Sequence, residues 1–544
     1  MIVFICITMY SYCLNGFECL LGVTLLFYGL MTFLNSFCCI KVFYISFSII
    51  VLLCAYEVIL GILQSLNICE SNNLFYTITG SFYNPGPYGG FLAICLTTIC
   101  PYLLNTKNCE TKKGLLKLLN LLIICTIIIV ISSQSRAAFL SLSVSFVFLC
   151  YKSGYYKRIC GIQKNKRIWI AVVLVSFFSM AYYVKKPSAD GRFFIDKICF
   201  KVLISNGLKG PGEMGCFGGR YGDLQACYFK DQILKRGETD MDWKSLNEKS
   251  RLTADCPIDA YNDYLFIGIE KGLLCMIFFI LIVIVPIYIS FKNDTIWGYG
   301  LITFSIFAFF SYPLKIIQFH LLVPVLIVSS LLDKRNETNI NTRESLHISN
   351  RRNLTNTLIT TLLTMLFIVY LLVVKVPSYK QLVWAYSEWN KIEIWYKTEQ
   401  YEYVADNSIS LLPYMKHDRH YLFAYGQSLN KTGNYSKSDS ILSLGTKISS
   451  DPMFWNVMGN NSLAQGKYRE AEERYKHAFY MVPNRLYPLY LLAKLYHTEG
   501  DTVKFLDMAD KVETFIPKVE SVNTERLRSE IRDLQSGYIS EQDE

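Results

Sequence analysis

Arg136 is the residue of this chain whose type and position point most directly to chemistry. It is the only charged side chain between Lys117 and Lys152. The residues between these two lysines form a long apolar run. As one helix, at ~1.5 Å per residue, this run would be ~50 Å long, well beyond the ~30 Å hydrocarbon core of a bilayer. It therefore predicts two membrane spans, with the polar turn Ser132–Arg136 between them. An arginine at such a boundary either snorkels to the headgroups or binds an anion, and its guanidinium suits phosphate oxygens.

Three further residues could complete an anion site with Arg136. Arg192 and Lys315 supply positive charge, and Asn84 stands at the start of a turn rich in glycine and proline that precedes a span. The free N–H groups of such a turn, at the beginning of a helix, can hold a phosphate. The structural alternatives are a snorkelling arginine and an ordinary loop at the start of a span.

Three other residues could move a proton. Asp263 and Glu270 are seven positions apart, so on a helix they share a face. His320 lies one to two turns inside a predicted span. We take these three as the candidate catalytic residues. The alternatives are helix-capping or interfacial roles for the two acids and a neutral, hydrogen-bonded membrane histidine.

The elements that must position these residues are membrane helices. The chain has 544 residues, of which 52% are hydrophobic, and a mean hydropathy of +0.27. The sequence predicts an all-α polytopic bundle of about 10–11 spans, in which a short run at 2–14 is the remainder of a longer first helix. The longer apolar runs lie at 17–36, 42–64, 89–104, 115–131, 137–151, 168–184, 264–290, 295–312, 315–332 and 354–376.

The net charge of +10 arises mainly from short loops between the predicted spans. Because cytoplasmic loops are enriched in lysine and arginine, the basic loops at 107–113, 152–167 and 334–352 are predicted to be cytoplasmic. The alternate loops and everything after about 376 then lie outside. This distribution indicates a membrane protein, and we expect no nucleic-acid partner.

The chain divides into a membrane body at 1–376, with a long external loop at 185–263, and a tail at 377–544. In the tail, a Gly-x-Tyr or Gly-x-Thr turn begins at Gly433, Gly466 and Gly500, with spacings of 33 and 34 residues. This period is typical of tetratricopeptide repeats, so we predict an α-solenoid of three to four repeats. It would either bind a protein partner or only position the membrane body.

Several kinds of site are missing from the sequence. It contains no P-loop, no Cys/His metal spacing and no Ser-His-Asp signature, so we expect neither a metal nor a cofactor. In the external loop, Cys199, Cys216, Cys227 and Cys256 could form disulfides in any of three pairings.

A series of short motifs occurs in a defined order over residues ~75–335. This order, with the long external loop, resembles the O-antigen ligase / lipid-linked-glycan polymerase family of bacterial inner-membrane glycosyltransferases. The repeat tail resembles members of the Bacteroidetes type. The motifs are Asn84-Pro85, Ser135-Arg136, Gly191-Arg192 ahead of Gly210–Gly215, Asn262–Leu265 with Glu270 and Gly272, and Ser311–Pro313.

The resemblance implies a multi-pass protein of the bacterial inner membrane with a periplasmic C-terminal domain. It implies a glycan donor carried on undecaprenyl pyrophosphate, which residues matching Arg136 and Arg192 would hold. The acceptor hydroxyl would belong to a glycolipid in lipopolysaccharide or surface polysaccharide biosynthesis, to a growing glycan or to a protein. Ligase, polymerase and protein O-oligosaccharyltransferase therefore all stay open.

One position departs from the family pattern. Ligases of this family often carry a histidine, the proposed base, directly before the asparagine, where this chain has Tyr261. A tyrosine, with an ordinary pKa of ~10, is a poor base near neutral pH. Asp263, Glu270 or His320 would then take the proton, or the good leaving group needs little help from a base.

Two other functional classes remain. A non-catalytic membrane scaffold would recruit partners through the repeats. A transporter would show inverted repeats and polar residues at the membrane midplane, and neither is evident in the sequence.

Overall fold

The computed structural model describes most of the chain, namely residues 16–37, 42–106, 113–152, 186–206, 217–234, 255–333, 376–518, 520–542 and the isolated positions 362, 365, 366, 369 and 373. Several sequence predictions lie outside the described residues. They concern the runs at 2–14 and 168–184, most of the run at 354–376, the glycine-rich segment 210–215, and Cys216.

The described residues form helices joined by short loops, which confirms the all-α class. The first eleven helices are α1 Gly16–Phe37, α2 Val42–Ser65, α3 Pro85–Thr106, α4 Lys113–Ser132, α5 Arg136–Lys152, α6 Lys186–Asn206, α7 Phe217–Leu234, α8 Asp263–Lys271, α9 Leu273–Lys292, α10 Trp297–Phe310 and α11 Ile317–Leu332. The tail contains α12 Val376–Lys397, α13 Tyr401–Ser408, α14 Leu412–Met415, α15 Arg419–Lys431, α16 Tyr435–Thr446, α17 Met453–Ala464, α18 Tyr468–Met481, α19 Tyr487–Glu499, α20 Thr502–Thr514 and α21 Val522–Gln542.

Four of the described helices are long and apolar enough to cross a membrane, which supports a membrane protein. They are α2, α3, α4 and α9. Shorter apolar helices occupy Leu20–Thr32, Arg136–Cys150, Trp297–Phe310 and Ile317–Leu332, at positions where the sequence also predicts spans. The full number of spans remains a prediction.

The sequence suggested a single helix for the apolar run at 264–290, but the structure has two. The run divides into α8 and α9 at Gly272, whose φ is +94°. Only glycine adopts this left-handed backbone without a steric penalty, and the helix is interrupted there. Glu270 therefore belongs to a short helix that ends before the apolar helix begins.

The chain forms two compact units. The external loop groups with the tail rather than with the membrane body. Unit 1 comprises Met1–Lys185, Tyr261–Ile267 and Cys275–Tyr379, and unit 2 comprises Lys186–Ala260, Gly268–Leu274 and Lys380–Glu544.

Helix α3 lies at the centre of unit 1, because 83% of its most apolar window is buried. A chain of hydroxyls joins it to two neighbouring helices. Thr97 Oγ1 lies 2.7 Å from Thr303 Oγ1 on α10, and the Thr303 hydroxyl lies 2.8 Å from Ser145 Oγ on α5. In a bilayer, where lipid competes little for hydrogen bonds, such side chains hold helices together.

Unit 2 contains the three helix pairs α15–α16, α17–α18 and α19–α20. The turns within these pairs contain Gly433, Gly466 and Gly500, with φ of +79°, +72° and +80°. Each glycine supplies the left-handed residue with which a helix commonly ends. The 33- and 34-residue spacing of the sequence thus corresponds to three similar helix–turn–helix pairs.

Helix α7 of the external loop packs against this helix array. A Cβ added at Gly219 would lie 2.4 Å from the backbone carbonyl oxygens of Thr446 and Lys447. The Gln225 side-chain amide also donates to the carbonyl of Met481, at the end of α18. This close backbone approach is the physical reason why the loop belongs to unit 2.

We predict that Gly219→Ala destabilises unit 2 by about 1–3 kcal/mol, because the added methyl group has no space against those carbonyls. Gly537→Ala is the matched control. Its added Cβ meets nothing within 4 Å, and alanine favours a helix by about 0.5–1 kcal/mol. Tryptophan fluorescence during heating of the full-length protein in detergent would measure both. Equal melting temperatures for the two variants would contradict the packing described.

Candidate functional site

A turn at one end of unit 1 is held by two buried side chains of α2. Glu57 is only 2% exposed, and its Oε2 accepts from the Ser81 N–H at 3.0 Å while its Oε1 accepts from the Ser81 hydroxyl. Gln64 Oε1 accepts from the N–H groups of Thr79 and Gly80, at 2.9 and 2.7 Å. The backbone at 79–81 therefore has its polar groups satisfied despite its burial.

This turn leads directly to Asn84, which caps α3. The Asn84 Oδ1 accepts from the Gly86 N–H at 2.8 Å, and Pro85 occupies the first helical position. The oxygen of Asn84 therefore organises the helix start. Pro85 and Pro87 have no backbone N–H, and the N–H groups of Gly86 and Tyr88 bond to Asn84 itself, so the group that Asn84 offers to an anion is its side-chain amide N–H.

The start of α5 lies beside the start of α3. The Ser135 hydroxyl donates to the Gly86 carbonyl at 3.0 Å, and a Cβ added at Gly89 would lie 2.4 Å from Ser133 Oγ. Gly89 thus allows the turn before α5 to pack directly on α3. Two helix N-termini meet at this point.

Arg136 is the first residue of α5 and is half-buried there. A helix N-terminus carries about half a unit of positive charge, so a guanidinium at that position is electrostatically unfavourable by itself. Two N-termini and an arginine together make a site in which an anion is stabilised from several directions. Anion binding by Arg136 stays a prediction.

Asp263 and His320 both contact the backbone of Leu314. Asp263 Oδ2 accepts from the Leu314 N–H at 2.9 Å. His320 Nε2 lies 2.8 Å from the Leu314 carbonyl, which can only accept, so this nitrogen carries the proton. The His320 Nδ1 is then a buried acceptor that has no hydrogen-bond partner among the described residues.

Lys315 follows Leu314 in a short 3-10 turn, Pro313–Lys315. It is exposed, and its ammonium lies 4.2 Å from the centre of the Phe266 ring. Three residues later, the Gln318 amide donates to Ser81 Oγ at 2.9 Å, which joins this segment to the turn before α3. The bond from Gln318 to Ser81 therefore links two groups of predicted site residues, Asn84 with Arg136 and Asp263 with Lys315 and His320.

The other two predicted site residues belong to unit 2. Glu270 Oε1 accepts from the N–H of Phe217, the first residue of α7. Arg220 lies one turn further along α7, where burial lowers the pKa of its guanidinium and the negative charge of Glu270 opposes that effect. Glu270 thus acts as the acidic cap of a helix N-terminus.

Arg192 lies on α6 and is half-buried near Asp196. Burial raises the pKa of the Asp196 carboxyl to about 6, and the positive charge of Arg192 lowers it in part. Part of the Arg192 charge is therefore matched within its own helix.

Tyr261, where the family resemblance leads us to expect a histidine, has a left-handed backbone with φ of +52°. Such a conformation costs energy in an aromatic residue and often marks functional turns. The next residue, Asn262, caps α8 by accepting from the N–H groups of Tyr264 and Leu265, at 3.1 and 3.2 Å. The ring of Tyr261 meets that of Tyr312 edge-on, with centres 5.6 Å apart.

The sequence reasoning missed four residues of these clusters, namely Glu57, Gln64, Gln318 and Arg220. A signal existed for Glu57, because it is the only acid within α2 and an ionisable residue in a span is costly. The roles of the other three depend on which turns they meet in space, so no local pattern identifies them.

The sequence also led to predictions about disulfides in the external loop and about metal sites. Cys199, Cys227 and Cys256 carry free thiols. Within the part of the chain that the structure describes, no group of three or more His, Cys, Asp or Glu side chains could hold a metal ion.

The chain matches no protein-family model, no curated protein and no solved structure.

The pKa of Asp196 predicts a pH dependence. Because its folded-state pKa is raised from 3.8 to about 6, its contribution to stability is fully present below pH 3.8 and is lost as the pH rises through about 6. We expect Asp196→Asn to stabilise the protein by about 1 kcal/mol at pH 8, after allowance for solvent screening, and to have no effect near pH 4. Melting temperatures across this range would measure it. A gain of equal size at both pH values would show that burial of the charge is not the cause.

Proposed function

We propose that this protein is a membrane transferase for lipid-linked glycans, with an undecaprenyl-pyrophosphate-linked glycan as its donor. The observation that carries the proposal is the position of Arg136 at the start of α5, beside the start of α3. Pyrophosphate suits this place because the positive ends of two helix dipoles and a bidentate guanidinium can stabilise its oxygens. The order of the sequence motifs supports the same donor.

In the proposed reaction, the oxygen of an acceptor hydroxyl attacks the anomeric carbon of the donor glycan. The bond from that carbon to the pyrophosphate oxygen breaks, and its electron pair leaves with the pyrophosphate. Arg136 and Lys315 stabilise the charge that develops on the leaving group, and Arg192 is proposed as a further ligand for it. The residues themselves supply charge and position, and no metal is needed in this scheme.

Of the three candidate bases, we assign the acceptor proton to His320. The Leu314 carbonyl orients its ring through Nε2–H, which leaves the Nδ1 lone pair as the acceptor. Asp263 is assigned a positioning role, because its carboxylate accepts a hydrogen bond from the Leu314 N–H. Glu270 is assigned a positioning role at the start of α7.

We propose further that unit 2 is periplasmic and that its helix pairs are tetratricopeptide repeats. Residues from the external loop and from the tail pack together in this unit, so both segments lie on the same side of the membrane. The positive-inside distribution of the loops assigns that side to the periplasm. Because α7 covers part of the helix array, the array positions the external loop, which favours this role over that of a scaffold for other proteins.

We expect Arg136→Ala to lower glycan transfer by about 10²–10³, because it removes a group that stabilises the leaving charge. The matched control is Arg469→Ala, which removes an arginine that is 93% exposed on the repeat domain. The assay uses purified protein in nanodiscs, an undecaprenyl-pyrophosphate oligosaccharide and EDTA. Lipid A-core, a free glycan and a hydroxyl-bearing peptide serve as alternative acceptors. A stably folded Arg136→Ala protein with normal transfer would overturn the proposal.

We expect His320→Gln to lower the transfer rate by about 10²–10⁴, since glutamine can still donate to the Leu314 carbonyl but has no basic nitrogen. Asp263→Asn is the comparison, because its amide oxygen can still accept from the Leu314 N–H. That variant should keep its rate within about tenfold of the original. The reverse ranking, at equal melting temperatures, would assign the proton to Asp263 instead.

A further inference from the structure

Helix α6 is apolar on two opposite faces, which is unusual for a helix outside the membrane spans. One face is buried in unit 2 through Phe194, Ile195, Ile198 and Val202. On this face Phe194 stacks against Phe229 of α7, with ring centres 5.7 Å apart. These contacts account for the packing of the helix and leave the opposite face unexplained.

The opposite face carries three large apolar side chains that are exposed. Phe193 is 64% exposed, Phe200 57% and Ile204 66%. Their spacing of seven and four residues places them in one stripe along the helix. A continuous exposed stripe of this kind marks a surface that is covered in the working protein.

Lysines border this stripe. Lys186, Lys197 and Lys201 are exposed, and Lys186 and Lys197 share the helical phase of the apolar residues. The ammonium groups of Lys197 and Lys201 lie 5.0 and 4.9 Å from the centre of the Tyr228 ring, which orders them along one edge of the stripe. Asp190 and Asp196 are the acids nearest to this face, one on each side of it in the helical pattern, and both are half-buried, whereas the lysines are exposed. The exposed face is therefore apolar with a positive border.

The position of α6 in the chain identifies what covers this face. It begins at Lys186, directly after the apolar run 168–184 that the sequence predicts to span the membrane. The start of the helix is thus held at the membrane surface by the covalent chain. Aromatic and aliphatic side chains bordered by lysine suit the headgroup region of a bilayer that contains anionic lipid.

We propose that α6 lies on the bilayer surface, with Phe193, Phe200 and Ile204 inserted among the acyl chain ends and the three lysines at anionic phospholipid headgroups. A second copy of the chain would bring lysine borders against each other, which makes self-association through this face unfavourable. The contact would hold the external loop at the depth where a lipid-linked substrate presents its headgroup. This contact between α6 and the bilayer does not depend on the transferase proposal, since lipid can cover the apolar face whether or not the protein catalyses a reaction.

Photocrosslinking of the full-length protein in nanodiscs tests the contact. The photoreactive residue benzoylphenylalanine replaces Phe200 in one variant and Ile409, an apolar residue of the tail that is 56% exposed, in the control variant. In nanodiscs that contain phosphatidylglycerol we expect a lipid adduct at position 200, at about fivefold or more the yield at position 409. Melting temperatures verify that both variants fold.

A second pair of changes tests the lysines without disturbing the packed face. Lys197→Glu with Lys201→Glu should reduce the lipid adduct at position 200 about fivefold or more in phosphatidylglycerol nanodiscs, and much less in phosphatidylcholine nanodiscs. Equal lipid adducts at positions 200 and 409 would overturn the proposal. So would a protein adduct at position 200, whether to a second copy or to another protein.

Discussion

The hydrogen bond from Ser135 to the carbonyl of Gly86 marks the contact on which the candidate site depends. It joins the starts of α3 and α5, and Gly89 permits the close approach because a Cβ there would collide with Ser133. The positive ends of two helix dipoles therefore meet at this point.

Most polar side chains around this place hold backbone rather than face an open site. Glu57 and Gln64 accept hydrogen bonds from backbone N–H groups of the turn before α3. Asp263 bonds to the N–H of Leu314, and His320 bonds to its carbonyl. The cost of a buried unpaired polar group explains why these residues are needed, because lipid offers no replacement partners. Side-chain hydrogen bonds therefore hold the backbone on both segments of the candidate site.

The second unit shows how the external loop and the tail depend on each other. Gly219 lets α7 approach the carbonyls of Thr446 and Lys447, and Gln225 reaches the end of α18. An ion pair also joins Arg485 of the tail to Asp255 of the loop, at 3.1 Å. The tail therefore organises the loop that carries Arg192 and α7, the helix that Glu270 caps, which gives the helix pairs a structural role within the chain.

The sequence by itself determined the helical class, the membrane character and the helix–turn–helix period of the tail. These follow from local patterns: apolar runs of bilayer length, and glycines at 33- and 34-residue spacing that end helices. It also selected Asn84, Arg136, Asp263, Lys315 and His320, because loop charges predicted one common side for them. Only the tertiary structure decided that Asp263 and His320 share Leu314, and that Glu270 caps α7. It alone assigned the external loop to the tail. Hydrogen bonds and close backbone approaches between residues far apart in sequence depend on how helices pack, and no periodicity along the chain encodes that packing.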